Sequence, residues 1–182
     1  MSDAPTETSA ATDATAPAVV ADTGPLRYLV VIDQISILPD VVGRVVITED
    51  VRAELDQPAA PEAVRSWVAA LPSWLTVRSV PSLVDPALVR LDVGERTTIA
   101  LAVAIGADAV SMDDRAGVTA ARQKGLIVFG TLGLLDKAAR RGLIDLEEAF
   151  ARLRGTNFRY SADLLETLLE GYRRDGGPCN EP

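Results

Sequence analysis

The chain has 182 residues, of which 48% are hydrophobic and 24% charged, and its formal net charge is −8. That is enough for one soluble globular domain with a real core and small for two. Histidine is absent and there is one cysteine, Cys179, which excludes His-based triads, most zinc sites and an intramolecular disulfide, with a reducing cytoplasm the default setting. The acidic balance does not favour a bare nucleic-acid-binding surface.

Residues 1–16, MSDAPTETSAATDATA, are rich in Ala, Thr and Asp and read as a disordered tail with no signal-peptide pattern. The expected domain spans 17–172, with 173–182 a second loose tail. No run of about 18 apolar residues suggests a membrane span. A strand is expected over 17–21, ending on Asp22. "PLRYLVVIDQISIL" then reads as one helix over 25–38, with Pro25 in its first turn. "GRVVIT" predicts a second strand, and Thr48 caps a helix over 49–55. "PEAVRSWVAAL" carries apolar residues at 63, 64, 67, 68 and 71, one helical face over 61–71. Strands follow at 75–80, 108–113 and 126–130. Helices are expected at 94–106, 114–125, 132–142, 145–154 and 161–172. Gly142 stops the third of these, after Arg140 and Arg141 complement its C-terminus. Alternating strands and helices of this length imply a parallel sheet with helices on both faces. The site of such a sheet lies outside the carboxyl ends of its strands.

Asp22 and Asp113 both end strands, so they share a crevice if those strands are neighbours. Glu54, Glu95 and Asp114 are the other candidates. Each has a bland reading alone: a solvated acid for Glu54, a helix-dipole partner for Glu95, a cap for Asp114 and for Asp22. Together they read differently. Two carboxylates about 4 Å apart repel by roughly 4 kcal/mol at an effective dielectric near 20, so several converging acids need a cation. All-oxygen ligation suits Mg²⁺ or Mn²⁺, and such an ion serves phosphodiester hydrolysis. Thr23 either hydrogen-bonds a site carboxylate or caps the first helix. Arg52 could meet a phosphate but reads better as a surface ion pair, Trp67 and Trp74 read as core or interface rather than base-stacking platforms, and "GTLGLL" reads as close backbone packing.

The set "VVADTGPL", "VVITEDVRAEL", "LDVGERTTIALAVAIGADAVSMDDRAG" and "LIVFGTLGLLDKAARRGLI" resembles the PIN-domain family, and more narrowly its short bacterial and archaeal members related to VapC-type toxin ribonucleases. The likeness covers about residues 17–160. It implies a three-layer α/β/α fold on a five-stranded parallel sheet and a metal-dependent single-strand endoribonuclease. The family's acids carry over to Asp22, Glu54, Glu95 and Asp113, with Asp114 as a fifth candidate. Asp22, Glu95, Asp113 and Asp114 are the implied Mg²⁺ or Mn²⁺ ligands. The expected partners are single-stranded or structured RNA, an antitoxin protein and a second copy of the chain. The alternative is an inactive PIN-like module that binds nucleic acid or protein, which the acidic balance and the want of an evident basic patch favour.

Overall fold

The structure, a computed structural model, describes residues 18–80 and 85–175. The expected tail 1–16, Pro17 of the first strand and residues 176–182 of the expected second tail, Cys179 among them, lie outside the described residues; Arg173 and Arg174, expected in that second tail, close the last helix instead. In chain order the elements are β1 (Ala18–Ala21), α1 (Thr23–Val31), α2 (Leu38–Val42), β2 (Arg44–Thr48), α3 (Glu49–Leu55), α4 (Glu62–Ala69), β3 (Leu75–Arg78), α5 (Val93–Ala104), β4 (Ala109–Ser111), α6 (Arg115–Gln123), β5 (Ile127–Phe129), α7 (Thr131–Arg140), α8 (Leu146–Arg154) and α9 (Ala162–Arg174). Single 3₁₀ turns sit at Ile35–Ile37 and Pro86–Leu88.

The five strands form one parallel sheet in the order β3-β2-β1-β4-β5. The strands are short and apolar because helices cover both faces. Alternate residues serve opposite cores: Val45 and Ile47 pack with α1, α3, α4, α7 and α8, while Val20, Val46 and Val110 pack with Ile99 and Leu101 of α5 and Ala121 of α6. That is the expected three-layer α/β/α arrangement.

The chain runs outward from β1 to β2 and β3, then crosses back to lay β4 on the other edge of β1. The reversal opens a crevice at the carboxyl ends of β1 and β4, the place where open α/β sheets bind ligands. Ala21 pairs with Ser111, and the Asp22 amide donates to the Ser111 carbonyl at 2.9 Å. The residues after both strands therefore leave the sheet side by side.

One expected element is divided. The single helix over 25–38 is two, α1 and α2, with a turn and a 3₁₀ segment between them. Asp33 adopts φ 57°, a left-handed conformation that Asp tolerates better than most residues and that ends a right-handed helix. Pro39 then sits in the first turn of α2, where its missing N–H costs nothing. The run stays apolar throughout because α1 and α2 bury Leu26, Leu29, Leu38 and Val41 in the same core, so periodicity alone carries no sign of the break.

Candidate active site

Asp22 stands at the N-terminus of α1, yet its side chain makes no capping hydrogen bond to that helix, its backbone partner being only the adjacent Thr23 amide. It is buried. Its carboxyl is pushed up from 3.8 to about 7, chiefly by loss of solvent, and further by the charges of Asp92, Glu54 and Asp113; the neighbouring Thr23 amide partly offsets this. A helix cap has no need of such an environment.

Glu54 comes from α3 and is exposed at the rim. Thr23 Oγ1 donates to its Oε2 at 2.8 Å, so Thr23 serves a site carboxylate. The start of α3 is set by Thr48, whose hydroxyl accepts from the Val51 amide at 3.1 Å. The same hydroxyl lies 3.2 Å from Thr97 Oγ1, inside the protein. That contact joins α3 to α5, the helices that carry Glu54 and Glu95.

Asp92 caps α5, its Oδ1 accepting from the Glu95 amide at 2.8 Å. Gly94, one residue before Glu95, packs against the acids. A Cβ there would stand 2.9 Å from Glu54 Oε2, 3.2 Å from Asp22 Oδ1 and 3.6 Å from Asp92 Oδ1. Carboxylate oxygens from three elements thus face one small opening that only a glycine leaves free. Glu95 is buried, and its carboxyl is raised from 4.5 to about 7, mainly by desolvation, then by the charges of Asp92 and Asp114, a hydrogen bond with Asp114, and the charge of Asp22.

Asp113 leaves β4 and is gripped by Thr131 at the start of α7. The Thr131 amide donates to Oδ1 at 2.7 Å and its hydroxyl to Oδ2 at 2.6 Å. Burial raises the Asp113 pKa and these two bonds oppose the rise. Gly130 lets α7 begin this close, since a Cβ there would meet Asp113 Oδ1 at 3.0 Å.

These acids flank a β1–β4 switch point in a three-layer parallel fold. A family model described as PIN domain matches residues 18–173 of the 182. The chain belongs to the PIN-domain family. Neither the curated proteins nor the solved structures compared with it gave a match. PIN domains are generally nucleases and typically use divalent metals.

Within this PIN domain the acids divide into two overlapping groups. Asp22, Glu54 and Asp92 ring Gly94, and Glu95 pairs with Asp114. Asp22 belongs to both, since its charge acts on Glu95 and it feels Asp113. Among the described residues no three acids stand closed at metal-ligand spacing. The donor set nevertheless fits a hard divalent cation: it is all oxygen, and two of its carboxyls are held near 7 by burial and mutual repulsion that a cation would relieve. Asp114 also serves as the cap of α6, its Oδ1 accepting from Ala116 and Gly117 at 2.7 and 3.4 Å.

Arg52 is exposed and makes no ion pair among the described residues, contrary to its surface-pair reading. Arg140 pairs with Asp136 and Asp175, so it ties α7 to the end of α9 as well as closing its own helix. Trp67 and Trp74 lie 6.4 Å apart against the larger core. Two residues of the site escape a reading of single acids. Asp92 was legible as the first member of the pattern D-x-x-E, which caps helices. Thr131 lies inside "GTLGLL", where its hydroxyl has no signal beyond the glycine before it.

Proposed function

We propose that this PIN domain is a Mg²⁺- or Mn²⁺-dependent endoribonuclease that cuts single-stranded RNA, and that it is the toxin half of a toxin–antitoxin pair. The observation that carries the nuclease reading is the gathering of Asp22, Glu54 and Asp92 oxygens around Gly94, beside an Asp113 fixed by Thr131. In this reading Asp22, Glu95 and Asp113 hold the ion, with Asp114 next to Glu95. A bound divalent cation supplies Lewis acidity at the phosphate and offsets the charge of the acids. Thr131 fixes the direction of the Asp113 carboxylate. Glu54, with Oε2 held by Thr23, orients the attacking water at its Oε1. The water oxygen adds to phosphorus, one P–O ester bond breaks, and a phosphomonoester and a free hydroxyl result.

The likeness of the four motifs to VapC-type toxins supports the toxin setting, in which an antitoxin covers the acidic crevice of a homodimer in the cytoplasm. Among the described residues no helix is long and apolar enough to cross a membrane.

The test is cleavage of end-labelled single-stranded RNA with Mg²⁺, Mn²⁺ or EDTA, beside a nucleoside monophosphate as competing substrate. Metal-dependent internal cuts are expected, lost at least a hundredfold in Asp22→Asn and Asp113→Asn. RNA binding without metal-dependent cleavage overturns the enzyme reading in favour of an inactive PIN module. For the toxin setting, expression should arrest growth and the product of the adjacent reading frame should relieve it; growth without arrest refutes it.

A further inference from the structure

A cavity of about 430 Å³ opens directly beside Asp113 and is bounded by α6, the loop after α8 and the start of α9. Its size is that of a small-ligand site. Its charged lining is Arg115, Arg122, Arg159 and Asp113, three cations to one acid on a chain of net charge −8. The local charge is therefore opposite to that of the protein as a whole. All three arginines are exposed, and none is in an ion pair among the described residues. Arg115 and Arg122 are seven positions apart on α6, so they share a face and stand about 10 Å apart along the axis.

The opposite wall is aromatic. Phe158 packs edge-on to Tyr28 of α1, with ring centroids 4.8 Å apart, and stacks with Tyr160 at 6.4 Å and an interplanar angle of 15°. The segment is held in place: the Tyr28 hydroxyl donates to Asn157 Oδ1 at 3.2 Å, and the Phe158 amide donates to Thr156 Oγ1 at 3.1 Å. Tyr160 ends the row 40% exposed. An exposed ring backed by an anchored ring is a poor surface for water and a ready platform for a flat heterocycle, and base–aromatic stacking is tolerant of sequence.

We propose that this cleft is the strand-binding groove of the PIN domain, in which Tyr160, backed by Phe158, stacks an unpaired base while Arg115, Arg122 and Arg159 hold the flanking phosphates and deliver the backbone to Asp113. The proposal deepens the endoribonuclease reading and rests on it. It accounts for how an acidic protein admits a polyanion: the attraction is confined to one basic cleft that leads into the acids. It also selects single strands, because a base already paired in a duplex cannot reach the ring.

The test measures binding of a fluorescent single-stranded RNA to the full chain by anisotropy in EDTA, which blocks cleavage, across a series of salt concentrations. Tyr160→Ala should weaken binding about tenfold or more, and Tyr160→Phe should restore it. Arg122→Ala and Arg159→Ala should each lower the slope of log affinity against log salt by about 0.7. Arg78→Ala, on β3 at the far edge of the sheet, should change neither. Thermal melts confirm that each variant is folded. Wild-type affinity and slope in all three cleft variants overturn the groove, even while metal-dependent cleavage by the wild type sustains the endoribonuclease reading. No cleavage by the wild type defeats that reading instead. Equal affinity for duplex and single-stranded RNA, or displacement by a peptide with no loss in Tyr160→Ala, also overturns the groove.

Discussion

Asp22→Asn separates a site carboxylate from a helix cap through the pH dependence of stability. In the folded protein the Asp22 carboxyl is raised from 3.8 to about 7. Below about pH 4 it is protonated in both the folded and the unfolded chain, and its ionisation costs nothing. Between 4 and 7 the folded state keeps a proton that the unfolded chain releases, so stability falls as pH rises. Above 7 both forms are ionised and the full cost stands. At 1.36 kcal/mol per pH unit that cost is about 4 kcal/mol, a ceiling that relaxation of the site lowers. Asparagine carries no such cost. In EDTA the variant should match the wild type near pH 4 and melt up to roughly 10 °C above it at pH 8. Glu95 titrates in both proteins, so their difference reports Asp22 and its field on Glu95. Mg²⁺ should then reverse the order of gains, raising the wild-type melting temperature by mass action and the variant's much less. Circular-dichroism melts at pH 4, 6 and 8, with and without Mg²⁺, provide the check. A cap would behave otherwise, because Asn caps as well as Asp. A gap between the two proteins that does not change with pH, together with equal Mg²⁺ shifts, refutes the reasoning.

Gly94→Ala places a Cβ 2.9 Å from Glu54 Oε2; calorimetric titration should show Mn²⁺ affinity reduced about tenfold or more, with the metal-free fold within about 1 kcal/mol of wild type because the helix propensity gained opposes the crowding. Thr131→Val removes the hydroxyl that Asp113 Oδ2 accepts and should cost about 1.5–3 kcal/mol in urea unfolding, with RNA cleavage falling alongside. Thr48→Ala loses both the α3 cap and the contact with Thr97; the expected loss is about 1–2 kcal/mol by the same measurement, and an unchanged midpoint would dismiss the clasp between α3 and α5.

The strands were readable because each is a short apolar run that needs two covered faces, as in Val45, Val46 and Ile47. Their order was not, since nothing within "VVAD" or "VSMDD" records that β4 returns to the vacant edge of β1. Asp33 hid a helix break because its left-handed turn leaves the apolar pattern intact. Thr48 declared itself by its place before a helical run. Asp22 did not, because a cap and a site acid occupy the same position in a sequence; the missing capping bond and the burial distinguish them. The basic cleft was illegible for a related reason. Arg115 and Arg122 share α6, but Arg159 comes far later in the chain, and only the course of the segment between α8 and α9 opposite α6 sets all three around one cavity.

The pairing of Ala21 with Ser111 spans ninety positions of chain, and that distance has a meaning in time. At about 5–20 residues per second, ribosomes need roughly 5–18 s to make the intervening stretch. Throughout that interval β1 has its β2 edge to fill but its other edge bare, and Asp22 has no Asp113 beside it. The acidic centre is therefore completed only late in synthesis, when β4 docks and brings Asp113 beside Asp22. A nascent chain stalled after Glu95 but before residue 109 carries Asp22, Glu54 and Glu95 and still lacks Asp113, so the crevice is complete only in the finished domain.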